Sequence, residues 1–343
     1  MSTGTKIVFW LLLGSISTVL AEGVSNATPY PFFSLWGILV VIPLYTLHTV
    51  VLSYFLFRQG RVIFPMLFLA GAIFGLYEAY LTKVVWLPSA FAVDPVLFGI
   101  HVLPASLLIL FWHPFMAYIF PVFLVENVFT DSSETLCALP QRCRCWLASS
   151  SGRMTCLILF SVYCGCAKSF GFTSRGAAFL SGVSNLAVLL VLGWWWLRIK
   201  AGRALTFRDL MPSGIEAMIL GGLLGGIYLV LGSLILPEAL PRTIGPHVAV
   251  WVLYALFGTL FYVHVKRAEP VCELPGRSEL YGQGLRVGLI LGVVIAVLPL
   301  LLIPFKVVVV LIMLMTWLTG VILGAAIVVR SSITISANAK SGV

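Results

Sequence analysis

The sequence predicts an all-α fold, a polytopic transmembrane helical bundle. Of its 343 residues, 60% are hydrophobic and only 10% are charged, whereas a soluble chain carries about 25% charged residues. The apolar residues form long continuous runs, and a helix satisfies the backbone polar groups of such a run inside lipid. Lysine and arginine fall almost entirely in alternate gaps between the runs, as in multi-pass membrane proteins.

The first 21 residues are typical of a secretory signal. Lys6 supplies a short basic region, and an apolar stretch follows from Ile7 to Leu20. Val19 and Ala21 occupy the small-residue positions before a cleavage site ahead of Glu22. The alternative is an uncleaved signal anchor. Residues 22–343 then form a single multi-span membrane domain.

About nine apolar runs follow the signal, or ten spans in all if the signal is an uncleaved anchor. A bilayer core of ~30 Å needs ~20 residues in a helix that rises 1.5 Å per residue. The third run contains Pro104, Pro114 and Pro121, so it is either one bent helix or two segments. The predicted runs are Phe32–Phe57, Val62–Trp86, Pro95–Val125, Met154–Phe170, Ala177–Leu197, Ile215–Leu236, His247–Val265, Leu285–Ile303 and Val307–Val329.

The basic residues predict the orientation of the chain in a cell membrane. If the first run leads from outside to inside, 15 lysines and arginines lie inside and five lie at the outer side. Such a bias places the mature N-terminus outside and the C-terminus in the cytoplasm. It also makes the segment near 126–153, with Cys137, Cys143 and Cys145, a cytoplasmic loop. The outer five are Lys83, Lys168, Arg175, Arg242 and Lys306.

Glycines spaced four residues apart predict close helix packing, because small residues let helix backbones approach. These faces are also candidates for a helix–helix oligomer or a larger complex. The glycines are Gly71 and Gly75, Gly221 and Gly225, Gly222 and Gly226, Gly284, Gly288 and Gly292, and Gly320 and Gly324.

Polar residues in the second and third runs form the candidate binding site. Glu78 lies ~12 Å below the outer end of its predicted helix, and His101 lies ~9 Å down the next one. Consecutive helices joined by a short loop are usually neighbours, so we expect Glu78 and His101 to meet. A carboxylate beside an imidazole can relay protons or hold a cation.

Other polar side chains extend this candidate site. Thr82 follows Glu78 by one helical turn and shares its face, whereas Lys83 is expected to reach the outer interface. His113 precedes Pro114 and either lines a cavity or caps carbonyls that the proline frees. The substrate- or ion-binding residues predicted from sequence are Glu78, His101, Tyr77, Tyr80, Thr82, Lys83 and His113; we assign no catalytic residue.

Several functional classes lack their sequence motif here. The chain contains no H-E-x-x-H, no G-x-S-x-G and no G-x-x-x-x-G-K-[ST], which disfavours a zinc protease, a serine hydrolase and an ATP-driven pump. The cysteines do not form the paired C-x2-C of a zinc site, so no metal site is assigned, and the sequence specifies no cofactor. The net charge of +9 follows from the cytoplasmic loops, so we expect the lipid bilayer, and no nucleic acid, as partner.

Three functions remain open from sequence alone. The first is a carrier or channel for a small solute or ion that uses the intramembrane glutamate and histidine residues. The second is an intramembrane enzyme that acts on a lipid or lipid-linked substrate. The third is a non-catalytic subunit of a membrane complex. Intramembrane ionisable groups combined with little soluble mass favour the first.

Overall fold

The computed structural model describes residues 2–81, 94–232, 241, 243–269 and 283–340. A short antiparallel hairpin precedes the fourth helix, and its strands, β1 (Val96–Leu97) and β2 (Ile100–His101), have two residues each. The helices are α1 (Thr3–Gly23), α2 (Gly37–Gln59), α3 (Phe64–Leu81), α4 (Val102–Phe129), α5 (Glu134–Ala138), α6 (Gln141–Ala148), α7 (Ser150–Gly171), α8 (Arg175–Lys200), α9 (Phe207–Leu210), α10 (Gly214–Val230), α11 (Ile244–Lys266), α12 (Gly284–Leu302) and α13 (Lys306–Lys340).

The predicted helical bundle is confirmed. Within the described residues, seven helical stretches are long and apolar enough to cross a bilayer, and α3 and α10 are shorter apolar helices. The last of the seven, Arg286–Thr334, joins α12 to α13 through a 3-10 turn at Ile303–Phe305. Each predicted run overlaps one of these helices, and the last two runs both lie in Arg286–Thr334.

The third predicted run forms one helix, α4. Its central part, Leu108–Ile119, is wound as a π-helix that contains Pro114. Proline has no N–H and its ring crowds the preceding turn, and a π-helical turn is wider than an α-helical one. The wider winding therefore accommodates Pro114 without breaking the helix into two segments.

The ends of the helices gather into two faces, as the alternating basic gaps predict. On one, which we call the basic face, α1 and α10 begin and α2, α4 and α8 end. Lys6 pairs with Glu216 at 2.8 Å, and Lys200 pairs with Asp131 at 2.7 Å. Arg208 donates to the carbonyl oxygen of Gly60 at 2.6 Å. These contacts join the N-terminus to three of the gaps predicted to share one side.

The opposite face joins the segment after α1 to two of the other gaps. Asn26 Nδ2, beyond the end of α1, donates to the carbonyl oxygen of Gly171 at 2.8 Å. The Tyr30 hydroxyl donates to the carbonyl oxygen of Ala177 at 3.0 Å. Lys306 Nζ donates to the carbonyl oxygen of Phe172 at 2.6 Å. The loops after α1 and α7 and the start of α13 therefore meet at one end of the bundle.

Glycine-mediated packing is confirmed for some of the predicted pairs. A Cβ atom on Gly71 would overlap Pro114, and one on Gly75 would lie 2.9 Å from the Leu108 carbonyl oxygen, so α3 and α4 cross in direct backbone contact. On α13, a Cβ on Gly320 would overlap the Phe111 ring of α4, and one on Gly324 would overlap the Leu110 carbonyl oxygen of α4. Four glycines of α10 meet nothing within 4 Å in the described chain, so their contact with a partner stays a prediction: Gly221, Gly222, Gly225 and Gly226.

The segment near 126–153 folds into the short helices α5 and α6. The Glu126 side chain is fully buried at the end of α4. It accepts hydrogen bonds from the backbone N–H groups of Glu134 and Thr135, at 2.7 and 2.8 Å. A carboxylate satisfies free N–H groups at a helix start, so Glu126 has a structural role in capping α5.

Candidate functional site

A cavity lies between α1, α2, α3, α4, α7 and α13, near the face opposite the basic face; its wall is mostly apolar, and we call it the polar cavity for the ionisable side chains that line it. Its volume is ≈ 430 Å³. The side chains that give it chemical character are two carboxylates, one imidazole, one phenol and three indoles, contributed by Glu22, Glu78, His113, Tyr77, Trp36, Trp112 and Trp317. No lysine or arginine occurs among its described lining residues.

A hydrogen-bonded chain connects two of the titratable groups. The Tyr45 hydroxyl donates to Glu22 Oε1 at 2.6 Å and lies 3.4 Å from His113 Nε2. Thr28 donates to Glu22 Oε2 at 3.0 Å. Since the Tyr45 hydroxyl can both donate and accept, the chain from His113 through Tyr45 to Glu22 can pass a proton along the cavity wall.

Glu78 and Tyr77 occupy the wall that α3 contributes. Glu78 is 8% exposed and Tyr77 is 6% exposed. The Tyr77 hydroxyl has no hydrogen-bond partner among the described residues. A buried hydroxyl without a partner costs about 1–3 kcal/mol, so a polar ligand or water in the cavity would relieve this cost.

An aromatic floor of Tyr45, His48 and Phe74 closes the cavity toward the basic face. The His48 ring stacks on Phe74 with centroids 4.2 Å apart, and Tyr45 meets Phe74 edge-on at 5.0 Å. All three side chains are at most 3% exposed. Tyr45 and His48 follow the cavity-lining residues of α2, and Phe74 precedes those of α3. All three therefore lie on the side of the cavity that faces the basic face.

The structure brings three of the seven predicted residues to the cavity: Tyr77, Glu78 and His113. Tyr80 is directed elsewhere, because its hydroxyl lies 2.6 Å from His247 Nδ1. Thr82 and Lys83 lie outside the described residues.

His101 does not meet Glu78 as expected. It belongs to β2, and its Nδ1 lies 2.9 Å from Asp94 Oδ2. The predicted depth of His101 assumes a helix that begins at Pro95, but α4 begins at Val102 after the hairpin. His113, which lies further along the chain in the π-helical part of α4, therefore lines the cavity in place of His101.

Sequence reasoning missed Glu22, Tyr45 and the three tryptophans. The predicted cleavage site makes Glu22 the first residue of the mature chain, beyond the apolar stretch that ends at Leu20, whereas α1 continues to Gly23 through a π-helical turn. The signal that could have found it is a carboxylate within one turn of an apolar run. Tyr45 and Trp36 carry no such signal, because aromatic residues are common in membrane helices.

These features define a polytopic α-helical membrane protein with a polar cavity inside its bundle. The chain belongs to a family described as "Uncharacterized membrane protein family", whose model matches residues 11–339. It is 34% identical, over 268 residues, to an "Uncharacterized protein" of Archaeoglobus fulgidus, with 77% of this chain and 80% of the relative covered. No solved structure matches the chain.

Proposed function

We propose that this protein is a carrier or channel that moves a small cation across the membrane through the polar cavity. The observation that carries the proposal is the pair of carboxylates, Glu22 and Glu78, lining a cavity without a lysine or arginine among its described residues. Placing a carboxylate inside a membrane is costly, and a bound cation or a proton lowers that cost. Among the described lining residues, an anion would meet two carboxylates and no lysine or arginine.

The aromatic walls extend the range of cations that fit. Trp36, Trp112 and Trp317 line the same cavity as the two carboxylates. An indole face attracts an ammonium group within about 6 Å of its centroid, and the attraction grows when the site is dry. Methylated ammonium ions therefore belong in the test beside sodium and potassium.

The packed side chains of Tyr45, His48 and Phe74 lie between the cavity and the basic face. A carrier exposes its site to one side at a time, and a closed floor toward the basic face is the arrangement expected of one such state. The hydrogen-bonded chain from His113 to Glu22 supplies a route for proton coupling.

The test is cation flux into proteoliposomes that contain the full chain. We expect influx of sodium, potassium or methylammonium to fall at least tenfold in Glu78→Gln and in Glu22→Gln, because amides keep the shape and lose the charge. Glu269→Gln is the matched control, since that carboxylate is 80% exposed on the basic face. Control-like flux in both cavity variants, with the proteins inserted and stable, would refute the proposal.

The second candidate is an intramembrane enzyme acting on a lipid-linked substrate. Trp36 lines the cavity and is also 44% exposed on the outer surface of the bundle, so the cavity borders the surface that meets lipid. An enzyme would leave all cation fluxes at the level of empty liposomes and would alter the lipids that co-purify with it. Because Glu78 and His113 face a cavity rather than packed helices, the scaffold function has the least support.

A further inference from the structure

We propose a second ligand site, an apolar groove that holds a single-chain lipid with a hydroxyl or carboxyl head group. The groove lies between α1, α4, α8 and α12 and has a volume of ≈ 210 Å³. Leucine, isoleucine, valine and glycine form nearly all of its wall, and Lys168 and Asn185 are the polar residues at one end. Neither of these two residues lines the polar cavity.

Lys168 is a buried cation without an acidic partner among the described residues. Its side chain is 1% exposed, and its Nζ donates to the Gly23 carbonyl oxygen at 3.1 Å and to Ser181 Oγ at 2.8 Å. It also lies 4.7 Å from the centre of the Phe172 ring. Among the described residues, no carboxylate forms an ion pair with it. The ammonium group therefore donates two hydrogen bonds, one of which caps the end of α1, and no described carboxylate balances its charge.

Asn185 presents an unused acceptor at the same end of the groove. It is 2% exposed, and its Nδ2 donates to the Pro29 carbonyl oxygen at 3.0 Å. This bond fixes the amide, and Oδ1 has no hydrogen-bond partner among the described residues. A head group that completes this end must accept from an ammonium group and donate to an amide oxygen. An alcohol or a carboxylic acid does both.

The dimensions fit a hydrocarbon chain below that head group. Trp194 follows Asn185 by nine positions on α8, so the two residues lie about 14 Å apart along the helix axis at 1.5 Å per residue. Trp194 is 59% exposed, so the far end of the groove reaches the surface that meets lipid. Glycines keep the wall open, because Gly288 and Gly193 both line the groove without side chains.

The head group must supply the selectivity. A hydrocarbon chain gains little on leaving lipid for an apolar groove, because lipid tails are as apolar as leucine. The polar end, in contrast, offers a cation and an acceptor that lipid tails do not. The proposal therefore predicts binding of acid and alcohol, and discrimination against the alkane of the same length.

Photo-crosslinking tests this with the full chain in phospholipid nanodiscs. The probes are one diazirine-labelled C16 chain prepared as acid, as alcohol and as alkane, and the labelled peptides are mapped by mass spectrometry. We expect the acid or the alcohol to label α8 and α12 at least tenfold more than the alkane. Labelling by both, or by one alone, upholds the site and identifies its head group; equal labelling by the alkane overturns it.

Three variants separate binding from folding. Asn185→Leu removes the free acceptor and Lys168→Met removes the charge, and each should lower labelling about tenfold. Gly288→Leu fills the groove away from the polar end, since its Cβ would lie 3.5 Å from Leu190, and should abolish labelling. Gly222→Leu on α10, with nothing within 4 Å, is the matched control. Unchanged labelling in stable Asn185→Leu and Gly288→Leu proteins would overturn the proposal even if Lys168→Met fails to fold.

Discussion

Arg208 clamps the basic face, and replacing it with methionine should destabilise the bundle. Its guanidinium binds Glu134 through two bonds, Nε to Oε1 at 2.7 Å and Nη2 to Oε2 at 2.6 Å. It also donates to the carbonyl oxygens of Phe57 and Gly60 at the end of α2. One side chain thus joins α9, α5 and the segment after α2.

The magnitude follows from what Arg208→Met leaves behind. Glu134 is 4% exposed, so its carboxylate would stay buried without its partner. Breaking a buried ion pair costs 3–5 kcal/mol, and the Arg208 side chain is 20% exposed, so screening by solvent reduces the expected loss to about 2–4 kcal/mol. The double variant Arg208→Met/Glu134→Gln should regain part of that free energy of unfolding, because no charge is left unpaired.

The assay is unfolding in mixed micelles by titration with a denaturing detergent, followed by circular dichroism. Arg58→Met is the control, because Arg58 lies on the same face, is exposed and contacts only the Tyr54 ring and hydroxyl among the described partners. The reasoning fails if the Arg208 and Arg58 variants lose equal stability. It also fails if the double variant is no more stable than Arg208→Met.

Two further substitutions test the cavity and the helix crossing. Tyr45→Phe removes the hydroxyl between His113 and Glu22 and should cost about 1.5–3 kcal/mol of unfolding free energy, since the bond is to a carboxyl group. It should also lower proton-coupled flux. Wild-type stability and flux in this variant would count against the hydrogen-bonded chain. Gly71→Leu should prevent close contact of α3 with α4 and abolish a monodisperse species in size-exclusion chromatography, whereas Gly258→Leu on α11 should not; equal elution would contradict this packing.

The bundle could be predicted from sequence because length and charge act over whole segments. A run of about 20 apolar residues has one stable conformation in lipid, and the basic gaps assign its ends. The local windings were not predictable in this way. The hairpin before α4 displaced His101, and the π-helical turn at Val19–Gly23 extended α1 as far as Glu22.

The cavity itself depends on contacts between helices that are distant in sequence. Glu78 and His113 were found from sequence because ionisable residues are rare in membrane helices. Their combination with Glu22 and Tyr45 required the packing of α1 against α2 and α4, which a depth estimate for consecutive helices does not supply. The residues that give the cavity its second carboxylate and its proton route were therefore accessible only in three dimensions.

The position of α1 bears on whether the first helix is cleaved as a signal. Phe9, Leu12 and Leu13 are fully buried in the bundle. Trp10 Nε1 donates to the Leu210 carbonyl oxygen at 2.7 Å, and Lys6 pairs with Glu216. Apolar burial alone gains little relative to lipid, but these polar contacts and the close packing exist only if α1 stays with the bundle.

We therefore propose that α1 is retained as a signal anchor. Cleavage after Ala21 would remove the helix that fixes Glu22 at the polar cavity. It would also remove the carbonyl oxygen of Ala21, which accepts from Trp112 Nε1 at 3.2 Å. Intact-mass measurement of the purified membrane protein should find the residues before Glu22 still attached. A folded, monodisperse protein whose N-terminal sequence starts at Glu22 would show instead that the cavity forms without α1.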